Sequence, residues 1–407
     1  MSGFAQPSRR EFLGALGAGS IATLSRGISP ETSAAIAPSD MLFASGLMYF
    51  GTATLGPCSR KVVEATTRAW YELETNPTAM GYGDGATRTA AERVRGAAAE
   101  FVGCSVDEMV ITRSTTDGMN AVAQGLQLTA GQRVLTTDQE HEGGSYCWLY
   151  LAERIGVVVD VVRIPPGEND TRAILDRFAA AITSDTRVIS VSHVLASTGL
   201  RMPIAELSTL ARSKGILCVV DGAQAVGGIH VDVKSLGCHV YATSGHKWLM
   251  GPKGTGLLYL SSEVQSLVKP IQLHDTKAFY SESSGVGNLP GAVGLGVAIE
   301  SLRATGAAEV ERHNVALRNR IYDGLKQIRA VTVVSPAPGP LATPLVSFAL
   351  PGQIDSVQFR DTLRQKHHIE VKVVPKRWLN GIRLSPHIFN TEKEVDAVLK
   401  ALRAELP

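Results

Sequence analysis

From about residue 85 to 260, short apolar runs alternate with stretches whose apolar residues recur at helical spacing. The runs at 109–111, 133–135, 188–191, 217–220, 240–242 and 256–260 are rich in Val, Ile and Leu and too short for helices, and they predict strands. The stretches 117–126 and 203–214 have the pattern of helices with one buried face. This alternation predicts an α/β fold whose sheet is mainly parallel and covered by helices on both sides. Residues 285–296 are glycine-rich and read as a loop entering a helix. A long helical pattern at 307–328 precedes the break Pro336-Ala337-Pro338-Gly339-Pro340 and a strand-like run at 344–349. The pattern divides the chain into a large domain, 38–305, and a smaller C-terminal α+β domain, 306–407, with the start of the large domain packing on the small one.

Several predicted strands run directly into a polar cluster: Thr115-Thr116, Glu140-His141, Ser192-His193, Asp221, and Ser244 with His246-Lys247. Open α/β sheets bind ligands outside the carboxyl ends of their strands, so five such clusters point to one shared site.

Charge and cysteine usage narrow the function. With 40 Lys+Arg against 38 Asp+Glu the net charge is +2, too small a field to gather nucleic acid. The five cysteines, at 58, 104, 147, 218 and 238, form neither a CxxC pair nor a metal-ligand spacing, so no metal is expected. Gly251-Pro252-Lys253-Gly254-Thr255-Gly256 lacks the phosphate-loop spacing and reads as a turn between two strands. Gly285-Val286-Gly287 has no preceding strand that would make it a dinucleotide loop. Asn76-Pro77 and Tyr82-Gly83-Asp84-Gly85 read equally as turns or as substrate contacts.

The first 37 residues differ from the rest. Ser8-Arg9-Arg10-Glu11-Phe12-Leu13 leads into a weakly apolar Gly/Ala/Ser run, and Ala35-Ile36-Ala37 offers the small residues of a cleavage site. The paired arginines resemble a twin-arginine export signal, a receptor-read address rather than an anchor. A spanning helix needs about 20 predominantly apolar residues, and this run is shorter and glycine-rich, so no stable membrane anchor is expected. The reading is a mature chain from about Pro38 in the periplasm; the alternative is an N-terminal arm on a cytoplasmic protein.

The most specific chemistry lies in Val219-Val220-Asp221-Gly222-Ala223-Gln224 and Thr243-Ser244-Gly245-His246-Lys247-Trp248, with Lys247 26 residues after Asp221. An acid at one strand end and a lysine at the next are the two groups pyridoxal phosphate needs. The amine forms an imine with the aldehyde, and the carboxylate keeps the pyridine nitrogen protonated. These segments resemble the class V aminotransferase group of fold-type I pyridoxal phosphate enzymes, which includes cysteine desulfurases and isopenicillin N epimerase-like proteins. The resemblance runs from about residue 45 to the C-terminus. It implies Lys247 as the imine lysine, Asp221 as partner of the pyridine nitrogen, and Gln224 as donor to the ring's phenolic oxygen. His141 would stack on the ring and assist proton transfer. Thr115, Thr116, Ser244 and His246 would serve the phosphate, with a helix N-terminus behind the threonines. Arg383, in Ile382-Arg383-Leu384-Ser385-Pro386-His387, would clamp the substrate α-carboxylate with its guanidinium fork. The family also builds its site between two subunits, which implies a homodimer.

Three departures bear on the reaction. Desulfurases of this family carry a persulfide-accepting cysteine shortly before the arginine, and 353–383 contains none. Ala196 stands where the family has an asparagine near the ring oxygen, leaving that contact to Gln224 with help from Ser197. Val286 replaces the threonine whose hydroxyl reaches a phosphate in the partner subunit. The sequence favours an aminotransferase-like reaction at the α-carbon of an amino acid or peptide-like metabolite, because that needs only the matched residues. A C–S β-lyase or an epimerase is the alternative, and a non-catalytic cofactor-binding protein is a second.

Overall fold

The computed structural model describes residues 36–77, 86–269 and 287–407, without the side chains of 86–89. The export motif, Val286 and the turn at 82–85 therefore lie outside the described residues.

The first strand among the described residues is the short β1 (Met48–Tyr49). The central sheet follows: β2 (Met109–Thr112), β3 (Arg133–Thr137), β4 (Val158–Val162), β5 (Thr186–Ser192), β6 (Leu217–Asp221), β7 (Val240–Ser244) and β8 (Gly256–Leu260). Their order in the sheet is β2-β8-β7-β6-β5-β3-β4, with β4-β3-β5-β6-β7 parallel and β8 antiparallel to both neighbours. The sequence alternates faces cleanly, as the pleat requires. Leu135, Ile189, Cys218, Val220, Tyr241, Leu257 and Tyr259 enter one core, which also holds Ile174, Phe178, Leu207 and Ile299. Val134, Val188, Val219, Val240, Ala242 and Leu258 enter the other, with Met119, Val122, Trp148 and Leu151. Helices thus cover both faces, and the fold is the mainly parallel α/β arrangement that the pattern predicts.

The glycine-rich 285–296, described from residue 287, leads into a helix as expected. A helix, Leu289–Thr305, starts within it, because Asn288 accepts from the Gly291 N–H (2.9 Å) and Pro290 occupies the first turn. The long helical pattern is the helix Ala307–Lys326. Beyond it, β9 (Thr332–Val333), β10 (Val346–Ala349), β11 (Ile369–Glu370), β12 (Lys372–Val373) and β13 (Gly381–Leu384) appear. A second, antiparallel sheet runs β12-β13-β10-β9, while β11 pairs with β1. A third core, with Phe50, Leu317, Ile321, Phe348, Ile382 and Leu402, fills this part. Phe50 seals the early chain onto it. The placement matters for chemistry, since it brings β13 and residues 50–56 to the carboxyl edge of the central sheet. No described helix is long and apolar enough to cross a membrane.

Candidate active site

Four of the central strands, β2, β3, β6 and β7, lead into site groups at that edge. After β2, Ser114 caps the helix Thr115–Gly125 by accepting from the Asp117 N–H (3.2 Å). Its first residue, Thr115, is buried against the end of β7. The Thr115 N–H donates to Ser244 Oγ (2.9 Å), and the two hydroxyls share a hydrogen bond (2.7 Å). Thr116 is exposed at the same turn. Two predicted hydroxyl donors, 129 residues apart in sequence, thus form one cradle at a helix N-terminus.

After β3 the chain turns into the helix Glu142–Ile155, with His141 as its cap. His141 Nδ1 accepts from the Gly143 N–H (3.0 Å), which leaves the proton on Nε2. Partial burial and the Lys247 charge hold this imidazole below its ordinary 6.5. Asp221, at the end of β6, is buried, and its Oδ1 accepts from the Ala223 N–H (2.9 Å). Burial raises its pKa against the pull of Lys247. Its other oxygen lies against the first turn of the helix Glu142–Ile155, where a Cβ on Gly144 would come within 2.3 Å of Oδ2. Only glycine fits there.

Lys247 lies in the turn after β7. Desolvation lowers its pKa from 10.5 to about 8; the charge of Asp221 opposes the fall and that of Arg383 adds to it. His246 is half-buried, its imidazole lowered by burial, Lys247 and Lys253. The His246 carbonyl accepts from the Gly56 N–H (2.7 Å). A Cβ at Gly56 would collide with the Lys247 carbonyl at 1.8 Å, so residues 53–56 press directly on the lysine turn.

Arg383 arrives from β13 and, among the described residues, is buried without a carboxylate partner. Its Nη1 donates to the Ala196 carbonyl (2.8 Å) and Nη2 to Thr54 Oγ1 (2.7 Å), while Nε has no partner. Burial brings its pKa down to about 10. A buried cation in this state is costly, and an incoming carboxylate is what would complete it. Ala196 serves here through its backbone, which no side-chain replacement removes.

Gln224 is buried and engaged at both ends. Trp248 Nε1–H donates to its Oε1 (2.8 Å), and its Nε2 donates to the Ala53 carbonyl (2.8 Å). Ser197, expected to help at the ring oxygen, instead donates its hydroxyl to Gln139 Oε1. Three features escaped sequence reasoning: Thr54 on Arg383, Gly56 on Lys247, and Glu140, which stands inside a motif already singled out. Among the described residues no group of acids, histidines and cysteines could hold a metal ion.

These groups suit pyridoxal phosphate on their own chemistry. A lysine with a depressed pKa, a buried acid, a hydroxyl-lined helix N-terminus and an uncompensated arginine all face one edge. A family model described as Aminotransferase class-V matches residues 48–398. Isopenicillin N epimerase of Amycolatopsis lactamdurans is 31% identical over 339 residues, covering 77% of this chain and 84% of that protein. A probable cysteine desulfurase of Methanothermobacter thermautotrophicus is 28% identical over 383 residues, covering 87% and 94%. Among solved structures, the apo cysteine desulfurase of Thermococcus onnurineus NA1 superposes with a TM-score of 0.79 at 26% identity, covering 90% of this chain and 96% of that one. The complex of the cystine C–S lyase C-DES with cysteine persulfide gives 0.79 at 25%, covering 89% and 99%. The match spans both sheets and every strand end that carries a site residue, and the chain belongs to the class-V aminotransferase family of pyridoxal phosphate-dependent enzymes.

Proposed function

We propose that this enzyme works at the α-carbon of an amino acid, or of a small metabolite that contains one, with an aminotransferase-like outcome. The observation that carries the reading is Arg383, a buried guanidinium that among the described residues has an unpartnered Nε and no counter-ion, close enough to depress the pKa of Lys247. Pyridoxal phosphate, when bound at Lys247, would supply a sink for the electrons released as the α-proton leaves. Asp221 would hold the proton on the pyridine nitrogen, and His141 would stand against the ring. Thr115, Thr116, Ser244 and His246 would hold the phosphate, and Gln224 would support the ring oxygen. Arg383 fixes the substrate carboxylate and so orients the α-hydrogen. The Lys247 amine, when free, removes that proton and returns it.

Where Lys247 returns the proton sets the product. Epimerisation, with return to the opposite face of the α-carbon, is the second reading, and the 31%-identical isopenicillin N epimerase favours it. Desulfurase chemistry is disfavoured, because 353–383 lacks a cysteine. Elsewhere, burial pushes the Cys147 and Cys218 thiols up to about 12 and about 11, far from the thiolate such chemistry needs. Two further parts of the proposal are a homodimer, supported by the exposed Trp70 and Tyr71 on the helix Arg60–Thr75, and twin-arginine export to the periplasm. The small C-terminal domain, 306–407, is proposed as the unit that carries Arg383.

The test is a titration of the purified protein, and of Lys247→Ala, with L- and D-amino acids. Wild type should show a visible cofactor band that the variant lacks, and some amino acid should alter the band and release a keto acid. Inversion without keto acid would replace aminotransfer by epimerisation. A band indifferent to every amino acid would indicate a cofactor-binding protein without catalysis. No band at all would refute the site.

A further inference from the structure

Glu140 precedes His141 and plays no part in the chemistry above. Its surroundings are specific. The β3–β5 ladder stops at Leu135↔Ile189, yet β3 continues to Thr137 along β4 and β5 continues to Ser192 along β6. The two strands therefore part at their carboxyl ends. The Glu140 carboxylate spans the split: Oε1 accepts from Thr137 Oγ1 (2.6 Å), and Oε2 accepts from the Ser192 N–H (2.9 Å) and Ser192 Oγ (2.6 Å). Three donors on one carboxylate, all from strand ends, make a rigid three-point clamp. Ser192 pairs with Asp221 across β5–β6, so the clamp is one strand from the acid of the site. Burial and the Asp221 charge push the Glu140 carboxyl up to about 7.

The rest of the turn is tied elsewhere. Asp138 Oδ1 accepts from the Ile164 N–H (2.9 Å), and Gln139 binds the Ile164 carbonyl and Ser197. Glu140 is the residue of this turn that reaches the last residue of β5, and His141 follows it directly.

We infer that Glu140 is a positioning residue: by bridging the parted ends of β3 and β5 it fixes where His141 stands over the cofactor. The inference rests on the pyridoxal phosphate reading of the site. It is distinct from a purely structural role, because its effect must pass through His141.

The experiment is a double-mutant cycle in the full-length protein, read by pyridoxal phosphate dissociation constant and by the circular dichroism of the bound cofactor's visible band. Glu140→Ala should weaken cofactor binding on the order of tenfold and reduce the visible dichroism. Glu140→Gln should stay close to wild type, since its amide oxygen can accept from Ser192 while its NH2 donates to Thr137 Oγ1. In a His141→Ala background, adding Glu140→Ala should change affinity by less than about twofold. Additive losses in the cycle, or equal losses in the Ala and Gln variants, would overturn the inference. Should Glu140→Ala not fold, Thr137→Val and Ser192→Ala each remove one hydroxyl donor. Both should reduce the dichroism, and wild-type dichroism in both would overturn the clamp. A wild-type protein that binds no cofactor would instead refute the underlying site.

Discussion

The depressed pKa of Lys247 makes a quantitative prediction about how the cofactor-free protein recaptures pyridoxal phosphate. Only the neutral amine attacks an aldehyde. With a pKa of about 8, roughly 9% of the amine is neutral at pH 7, against about 0.03% for a lysine at its ordinary value. Imine formation at pH 7 should therefore run about 300-fold faster than the solvent-exposed amine fraction allows. The assay strips the cofactor, re-adds it between pH 6 and 10.5, and follows the visible absorbance, with a capped free lysine as the control for the aldehyde's own titration. The rate should level off above about pH 8. Arg383→Met removes a cation that lowers the lysine's pKa and should move the midpoint up; Asp221→Asn removes the anion that raises it and should move the midpoint down. The same gap predicts stability. Between about 8 and 10.5 the unfolded chain keeps a proton that the folded protein has lost, so stability of the cofactor-free protein rises with pH across that window. The total is on the order of 3 kcal/mol. A rate still climbing tenfold per pH unit at pH 10, or both variants shifting the same way, would refute the electrostatic picture of Lys247.

Other perturbations follow from single contacts. Gly144→Ala puts a Cβ 2.3 Å from Asp221 Oδ2; the buried carboxylate must shift, so cofactor affinity should fall at least tenfold, and the thermal midpoint should drop because overpacking costs about 1–3 kcal/mol against a helix-propensity gain of about 1 kcal/mol. Arg383→Met should lower kcat/KM on amino acids by roughly 100-fold or more, the loss of one or two charge-assisted hydrogen bonds, without loss of bound cofactor. Phe348→Ala empties a fully buried site in the third core and should cost about 3–5 kcal/mol in denaturant unfolding.

What the sequence displays and what it hides divide along physical lines. Strands β5 to β8 were legible because both faces are largely buried, which leaves short, mostly apolar runs. The edge strand β4 was not, although it reads Val-Val-Asp-Val-Val: it is half-exposed, and Val161 points to solvent. The helix predicted from 117 starts at Thr115 because the Ser114 cap sets its first turn. Lys247 and Asp221 could be found because strand ends locate them. Thr54 on Arg383 spans 329 residues and leaves no local trace. Glu140 was visible as a letter, but its value lies in the divergence of β3 from β5, which only the register reveals. β13 itself, four residues long, gave no periodic signal; Arg383 was found through resemblance.

The separation between Lys247 and Arg383 shows what the buried polar groups achieve. The two side chains are both cations, and Arg383 pushes the Lys247 pKa down, so their approach is electrostatically uphill. Hydrogen bonds hold it. Arg383 grips Thr54, and Ser385, two residues along, accepts from the Ala53 N–H (3.1 Å). The Ala53 carbonyl takes Gln224, Gln224 takes the Trp248 indole, and the Trp248 carbonyl takes His387 Nε2 (2.8 Å), which returns the circuit to the segment it left. Burial holds His387 down to about 4, so this link stays neutral and intact at physiological pH. Trp248 is the residue after the lysine, and the circuit therefore fixes the lysine turn and the arginine strand against their mutual repulsion. A site built this way has one cheap route to lower energy, an anion beside Arg383 with an amine offered to the cofactor at Lys247. An α-amino acid carries both, one carbon apart.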